Sequence, residues 1–376
     1  MKIKGNTIFF ILWMVFITSA SAQAPAGYYD QAANLTGTQL KTTLQKIIRG
    51  HTRRTYDNLW TDFYSTDDKP NNTVWDIYSD IPDGTPNGNP PYVFEFGASP
   101  GNQCATTPGT EGVCYNREHT FPKSWWGGGT AAADTMYTDL FHLYPTDSKV
   151  NSLRNNNPYG NVTTATWTSQ NGSKLGTCSI PGYSGVAFEP PGGYKGDLAR
   201  NYFYLATRYE NRIASWKGLS VEGGGVLDGS SFPCFEPWFL KMLLEWNNLD
   251  PVSQKEIDRN NAVYAIQHNR NPYIDHPEYV TAVWGNGEYT GISVNPSISK
   301  GSAFVSDGYV QISVPSMEGR QVEIGIFDTI GKPIYKTKQF MSGLVKVQVS
   351  TSPGIYIVRV NSGEEFFETK CVVSRK

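Results

Sequence analysis

The sequence predicts an α+β protein in which a helix- and loop-rich domain precedes a small antiparallel β-sandwich. Two stretches within the first 290 residues carry apolar side chains at helical spacing. After about residue 300 the pattern changes to short alternating runs such as "GYVQISVP" and "GIYIVRV", with the period of two of half-buried strands. The chain of 376 residues contains 37 Gly and 23 Pro, which indicates many turns between its elements.

The amino terminus reads as a removed export signal over residues 1–22. Two lysines precede an apolar run from Ile8 to Ile17, and "ASA" at residues 20–22 supplies small side chains at the spacing that signal peptidase reads. This run is too short for a membrane anchor, and no later stretch is apolar enough to form one. We therefore expect a mature chain from about Gln23 with no stable membrane insertion, secreted to the cell surface or the medium.

The rest of the chain divides at the change of pattern. Residues 23–290 form the main domain, residues 291–304 form a linker rich in Ser, Gly and Pro, and residues 305–376 form the β-sandwich. Charge differs between the parts. Residues 23–295 carry 20 Lys and Arg against 27 Asp and Glu, a balance of −7, whereas the remainder to residue 376 has 10 against 7, or +3. An acidic main domain excludes a tight, non-specific polyanion binder, so a polyanionic substrate would need a local cluster of side chains.

Cysteine usage agrees with export. An even set lies in the central region, namely Cys104, Cys114, Cys178 and Cys234. Outside the cell we expect these thiols to be oxidised rather than free and buried, although four cysteines allow three pairings. A bridge from Cys104 to Cys114 is favoured because the loop between them is short and rich in Gly, Thr and Pro. The sequence has no CxxC pair, so a thiolate zinc site has little support.

Helices are predicted in order along the main domain. "GTQLKTTLQKII" forms one that ends near Arg49-Gly50, and "KGDLARNYFYLATRYENRIASW" forms a second with an aromatic core stripe. Between them "DTMYTDLFHL" reads as a short helix stopped ahead of Pro145. "TDSKVNSLRNN" reads as another, with Thr146 or Asp147 as its N-cap.

The segment "NREHTFPKSWW" holds the candidate chemistry. A carboxylate oxygen from Glu118 and an amide oxygen from Asn151 suit Mg²⁺, with Ca²⁺ or Mn²⁺ as alternatives. Neutral His119 would take a proton from the attacking water, because its ordinary pKa lies near neutrality. A strand carrying the Glu-His pair, followed by a loop and a helix carrying Asn151, gives a ββα arrangement around one metal ion. Neighbours on a regular strand point to opposite faces, so the chain should leave strand geometry at this pair.

Four linked segments carry a resemblance to a known family: "NREHTFPKSWW", "TDLFHLYPTDSKVNSLRNNNPYG", "FEPPGGYKGDLARNYFYLATRYE" and "QHNRNPYIDHPEYV". Together they resemble the endonuclease I family of secreted bacterial nucleases, which belongs to the His-Me finger (ββα-metal) group. The resemblance implies Mg²⁺-dependent, largely sequence-non-specific hydrolysis of DNA, and often of RNA, that leaves 5′-phosphate ends. It implies His119 as general base and Glu118 and Asn151 as metal ligands.

One family feature is missing. Relatives place an arginine between the base and the metal-binding helix to steady the cleaved phosphate, yet residues 120–150 contain none. Lys123 or Arg154 would take that catalytic role. Substrate contacts are expected from three further residues, namely Arg117, His142 and Arg200. A buried position for His142 and a structural role for Arg200 are the alternatives.

The carboxy-terminal region resembles the sorting domain of the type IX secretion system, on its strand pattern and on "DTIGKPIY", "GIYIVRV" and the basic ending "SRK". That resemblance implies the outer-membrane secretion machinery as a partner; a carbohydrate-binding or adhesive module is the alternative. For the main domain two other classes are weighed. A zinc hydrolase would use His119 and His142, but no HExxH motif exists. A non-catalytic protein would hold polysaccharide on its many aromatic side chains.

Overall fold

A computed structural model describes residues 24–69, 71–80, 90–98, 101–128, 135–285, 297–298, 301–306, 309–328, 332–348, 354–362 and 365–373. The chain forms two compact units that divide between residues 289 and 290, and each is described by itself. The predicted export signal and much of the predicted linker lie outside the described residues. None of the described helices is both long and apolar enough to cross a membrane.

The helices of the first unit are α1 Gly37–Ile48, α2 Asn58–Thr66, α3 Ser148–Arg154, α4 Lys195–Arg208, α5 Glu210–Ile213, α6 Val221–Gly224, α7 Pro237–Leu249, α8 Gln254–Gln267, α9 Pro272–Asp275 and α10 Glu278–Trp284. Short 3₁₀ helices span Asp30–Ala32, Lys123–Trp126, Thr135–Thr138, Leu140–His142, Gly192–Tyr194 and Ala214–Trp216. The predicted end of α1 is confirmed, because Arg49 is extended and Gly50 adopts a φ of +81°. α4 is buried along almost its whole length and packs against α1, α7 and α9. It is therefore the central helix of this unit.

The strands of the first unit are β1 Asp68–Lys69, β2 Thr73–Val74, β3 Tyr115–His119, β4 Leu143–Asp147, β5 Thr164–Thr168, β6 Lys174–Ile180 and β7 Tyr183–Glu189. They form three small antiparallel sheets, β1-β2, β3-β4 and β5-β6-β7. A core rich in aromatic side chains lies between these sheets and the helices. Sheets this small are not stable alone, so packing against the helices holds them in place.

The β3-β4 pair and α3 place the predicted site. Glu118 pairs with Tyr144 and His119 with Leu143 across the two strands. The predicted helix over "DTMYTDLFHL" is wrong, because this stretch forms two 3₁₀ turns that lead into β4. Pro145 lies inside that strand, which is tolerated because a two-stranded sheet has only edge strands. The N-cap prediction is confirmed for Asp147, whose Oδ1 accepts hydrogen bonds from the first turn of α3.

The strands of the second unit are β8 Ser297–Ile298, β9 Ser302–Ser306, β10 Tyr309–Ser313, β11 Gln321–Phe327, β12 Pro333–Phe340, β13 Val345–Gln348, β14 Gly354–Ser362 and β15 Glu365–Val373, with a 3₁₀ turn at Pro315–Met317. They form two sheets, β13-β10-β9 and β12-β11-β14-β15-β8. Pairing is antiparallel as predicted, except that β8 runs parallel to β15. β8 and the start of β9 fall within the predicted linker. Aliphatic side chains from both sheets share one core, such as Ile312 and Val360.

Candidate active site

A cleft of about 260 Å³ lies beside the end of β3. All the predicted catalytic and metal-binding residues line it, as do Arg117 and two asparagines that follow α3. These lining residues are Arg117, Glu118, His119, Lys123, Asn151, Arg154, Asn155 and Asn156. Glu118 and His119 share this cleft although both belong to β3. The expected departure from strand geometry at this pair is wrong, because Glu118 and His119 both pair with β4 and the strand ends only at His119.

The carboxylate of Glu118 is held by two donors. Its Oε1 accepts a hydrogen bond from the hydroxyl of Tyr78 at 2.8 Å and one from Nη1 of Arg154 at 2.9 Å. The hydroxyl of Tyr78 lies 2.8 Å from that of Tyr159, and both rings are fully buried. Burial raises the pKa of the Glu118 carboxyl, while Arg154 and Tyr78 act in the opposite direction. Both bonds use Oε1, so neither engages Oε2.

The side chain of Arg154 is buried, and its hydrogen bonds go to groups inside the protein. Besides Glu118, its guanidinium donates to the carbonyl of His119 at 3.0 Å and to that of Thr120 at 2.7 Å. Only 1 % of its surface is exposed, and its guanidinium carbon lies 4.6 Å from the ring centroid of Tyr159. This geometry favours a role in holding Glu118 and the end of β3 over direct contact with a phosphate.

Lys123 and Arg117 are the other cations of the cleft. Lys123 is half-buried, and its ammonium lies 5.5 Å from the ring centroid of Tyr137. Arg117 donates to the carbonyl of Tyr56 at 2.6 Å, and its guanidinium carbon lies 3.5 Å from the centroid of that ring and 4.2 Å from that of Trp60. Arg117 is thus held against an aromatic wall. Lys123 is the cation better placed to move toward a phosphate.

His119 is fixed as a neutral imidazole by its surroundings. Its Nε2 lies 3.0 Å from the carbonyl oxygen of Tyr137, and a carbonyl only accepts, so Nε2 carries the hydrogen and Nδ1 is the basic nitrogen. The ring stacks with those of Tyr56 and Tyr137. Burial and the neighbouring His142 hold the pKa of His119 well below its ordinary value of 6.5. At neutral pH this imidazole is therefore unprotonated, which is the state that a general base requires.

Asn151 is oriented by a chain of hydrogen bonds. Its Nδ2 donates to Oδ1 of Asn116 at 2.7 Å, and Nδ2 of Asn116 donates to Oγ of Ser148 at 2.9 Å. The hydroxyl of Ser148 donates in turn to the carbonyl of Thr106. This chain uses the amide nitrogen of Asn151 and leaves its Oδ1 for a ligand. Glu118 and Asn151 thus provide one carboxylate and one amide oxygen, the hard donors that suit Mg²⁺.

Two predicted substrate contacts are corrected. His142 is fully buried, with its Nε2 2.7 Å from the carbonyl of Met136. Arg200 is 1 % exposed and forms a bidentate ion pair with Glu256 at 2.6 and 2.7 Å. Neither residue lines the cleft. Both are buried, as the alternatives given for them expect.

The zinc alternative gains no support from this geometry. The ring centroids of His119 and His142 lie 5.4 Å apart, and the Nε2 of each ring faces a backbone carbonyl, so only the Nδ1 of each ring remains as a zinc ligand. In the part of the chain that the structure describes, no three His, Cys, Asp or Glu side chains group as a metal site.

The disulfide prediction is half right. Cys104 and Cys114 are bridged, with sulfur atoms 2.03 Å apart, and the loop that they close contains Thr106. Cys178 and Cys234 are free and buried instead of oxidised. Each fills a small apolar position in the interior, a common use of cysteine that parity of the count does not reveal.

Two positioning residues escaped the sequence analysis, Asn116 and Tyr78. Asn116 precedes Glu118 by two residues, so the period of the strand was a signal that could have identified it. Tyr78 lies 40 residues before Glu118, and no local pattern connects the two.

Comparison with known proteins identifies the families of both units. Residues 36–278 match the family described as Endonuclease I, and residues 306–374 match the family described as Secretion system C-terminal sorting domain. An extracellular ribonuclease of Bacillus amyloliquefaciens is 34% identical over 281 residues, 74% of this chain and 85% of that protein. An extracellular ribonuclease of Bacillus subtilis (strain 168) is 34% identical over 260 residues, 68% and 78% of the two chains. Endonuclease-1 of Buchnera aphidicola subsp. Baizongia pistaciae is 28% identical over 138 residues, 36% and 46% of the two chains.

Proposed function

The chain belongs to the endonuclease I family and is a secreted or cell-surface nuclease, and from this premise we propose that it hydrolyses the phosphodiester bonds of both DNA and RNA. The products carry 5′-phosphate ends, and sequence preference is weak. The ββα-metal core is β3, β4 and α3. One observation carries the proposal, namely a buried neutral histidine in the same cleft as one carboxylate and one amide oxygen.

His119 acts as the general base. Its Nδ1 takes a proton from a water molecule as the water oxygen bonds to phosphorus, and the bond from phosphorus to the 3′-oxygen breaks. The departing 3′-oxygen takes a proton from solvent. The carbonyl of Tyr137 keeps the hydrogen on Nε2, so Nδ1 is the basic nitrogen when the water approaches. Lys123 supports the phosphate charge in place of the missing family arginine.

The donor set fits Mg²⁺, with Mn²⁺ or Ca²⁺ as alternatives. Glu118 would offer Oε2, because Oε1 already accepts two hydrogen bonds, and Asn151 would offer Oδ1. When bound, Mg²⁺ supplies positive charge that stabilises the phosphate and the departing oxygen. The bonds that Tyr78 and Arg154 donate to Glu118, and the bond that Asn151 donates to Asn116, orient these two ligands before any metal binds.

Weak sequence preference follows from what the cleft offers. Its polar groups suit phosphate and metal, and contacts of this kind carry no base information. The acidic main domain provides little long-range attraction for a polyanion, so product would leave readily. Activity would fall as salt rises, because salt weakens contacts between phosphates and cations such as Lys123. RNA is included because two relatives are named extracellular ribonucleases.

The second unit serves export. It matches a secretion sorting domain, and we propose that it binds the outer-membrane secretion machinery and takes no part in hydrolysis. The aliphatic core that its two sheets share suits an independently folded module.

The test is cleavage of several plasmids and of a structured RNA by the purified protein, with Mg²⁺ and with EDTA. We expect both to be degraded with Mg²⁺ only, and the DNA ends to ligate without prior phosphorylation. His119→Ala should lower the rate by roughly 10²–10⁴-fold. The matched variant His268→Asn changes an exposed histidine and should be fully active. Cleavage at one defined sequence, ends that need phosphorylation, or equal activity in EDTA would each contradict the proposal.

A further inference from the structure

The turn after β2 supports both candidate metal ligands. This turn, residues 75–80 with the sequence "WDIYSD", holds Tyr78 against Glu118 through the hydrogen bond described above. It also approaches α3, the helix that carries Asn151. The group that joins these two contacts is the carboxylate of Asp76, of which only 1 % is exposed.

One oxygen of Asp76 fixes the Tyr78 side of the site. Its Oδ1 accepts a hydrogen bond from the backbone nitrogen of Tyr78 at 2.8 Å. Because the Tyr78 hydroxyl donates to Oε1 of Glu118, the backbone position of Tyr78 determines where that donor lies. Asp76 therefore acts on Glu118 through one intermediate residue.

The other oxygen fixes the α3 side. Oδ2 of Asp76 accepts from the backbone nitrogen of Asp147 at 2.8 Å and from the hydroxyl of Ser79 at 2.6 Å. Asp147 is the N-cap of α3, and its Oδ1 accepts from the backbone nitrogens of Lys149 and Val150 at 2.8 and 2.9 Å. Asp76 therefore holds the residue from which this helix begins, four positions before Asn151.

We propose that Asp76 is a positioning residue that sets the two candidate metal ligands relative to each other, through Tyr78 to Glu118 and through Asp147 to Asn151. The inference rests on the proposed metal site. A buried carboxylate that only closed its own turn would need Tyr78 and Ser79 alone; the bond to Asp147 reaches 71 residues along the chain and adds the second ligand. Partners of this kind orient ligands, and their loss typically lowers metal affinity by about 10–100-fold.

Asp76→Asn separates this role from simple packing. The amide keeps the shape of the carboxylate but replaces one acceptor with a donor. Whichever way it turns, an NH₂ group then faces either the backbone nitrogen of Tyr78 or that of Asp147, so one of the two connections is lost. The matched control is Asp62→Asn, because Asp62 is also buried but pairs with Arg54, and neither residue lines the cleft.

The experiment measures binding of Mn²⁺ alone by calorimetry on the full chain, with the thermal midpoint recorded for each variant. We expect Asp76→Asn to weaken Mn²⁺ binding by about 10–100-fold. At saturating Mg²⁺, kcat should stay close to that of the unaltered protein. Asp62→Asn should lower the thermal midpoint and leave the Mn²⁺ affinity unchanged. A loss of thermal midpoint in Asp76→Asn with unchanged Mn²⁺ affinity would overturn the inference.

A second pair of variants covers the case in which Asp76→Asn does not fold. Tyr78→Phe removes only the hydroxyl that donates to Glu118 and should also weaken Mn²⁺ binding. Tyr273→Phe removes an equally buried hydroxyl that bonds to Thr207 and should not. Equal effects of the two would overturn the inference. If the unaltered protein cleaves nucleic acid but binds no Mn²⁺ and needs no Mg²⁺, the proposed metal site itself fails and the positioning role with it.

Discussion

The two units of the chain bury polar groups very differently. The first unit buries ion pairs, among them Arg154 with Glu118 and Arg259 with Asp67. Among the described residues of the second unit, the buried polar side chains are Gln311 and Ser362, and neither is charged. Burying charge costs free energy that only paired, hydrogen-bonded partners offset. The first unit thus contains buried charge pairs, one of which lies at the proposed metal site, whereas the second has a simple aliphatic core.

The largest effect on stability is expected from breaking one of these buried pairs. Arg154→Met leaves Glu118 buried without its cation, which should destabilise the first unit by about 3–5 kcal/mol. Urea unfolding monitored by tryptophan fluorescence measures this. The control is Lys241→Met, which removes an exposed pair with Glu245 and should cost about 0–1 kcal/mol. Equal costs for the two variants would show that buried pairing does not distinguish the first unit.

Loss of the disulfide is expected to have the next largest effect on stability. Replacing both Cys104 and Cys114 with serine should cost roughly 2–4 kcal/mol. It should also raise the Mg²⁺ requirement, because the bridged loop supplies the carbonyl that holds Ser148. Cys371→Ser, in the second unit, should leave that requirement unchanged. Thiol titration of the denatured, unreduced protein should find three free thiols; finding five, or an unaffected double variant, would contradict this role.

The pH dependence of kcat tests whether His119 is buried in the first unit. Burial lowers the pKa of His119, so the neutral base persists at pH values where an exposed histidine is already protonated. The rate at saturating Mg²⁺ should therefore hold as pH falls through 6.5, the ordinary value, and decline only in more acidic solution. A pH profile of kcat measures where this acidic decline in rate begins. A decline centred above 6.5 would show that the imidazole is not buried as described.

Removal of the second unit should have the smallest effect on hydrolysis. A chain ending at about residue 295 should fold and keep its rate, because the residues that line the cleft all belong to the first unit. Release from the producing cell should be lost. Activity assays on the purified truncated protein and on culture medium test the two parts separately. An unfolded truncated protein, or one still released normally, would break the division between the units.

The sequence predicted the parts of the site that lie close together along the chain. Glu118, His119 and Asn151 fall within a short segment, and the strand-to-helix order around them places all three in one cleft. The β-sandwich pattern was equally readable, because strand periodicity is a local property. The β4 strand was missed because Pro145 was interpreted only as the end of a helix, although an edge strand tolerates proline.

What the sequence could not show are contacts between distant residues. Asp147, a partner of Asp76, and Glu256, the partner of Arg200, lie 71 and 56 residues away along the chain. No local pattern therefore identified Asp76, and Arg200 was expected to contact substrate instead of forming a buried ion pair. The prediction that Cys178 and Cys234 are oxidised was wrong for a related reason. Export and an even count predict disulfides, but only the fold decides which cysteines meet.

The most direct measurement is the Mg²⁺ dependence of turnover in three variants of the cleft. His119→Ala should lower kcat by roughly 10²–10⁴-fold with an unchanged Mg²⁺ requirement, because it removes only the proton acceptor. Glu118→Ala and Asn151→Ala should instead raise the Mg²⁺ concentration that gives half-maximal activity, since each removes an oxygen from the same ion. If His119→Ala shifts the Mg²⁺ requirement and Glu118→Ala lowers only kcat, the two roles are reversed and the account is contradicted.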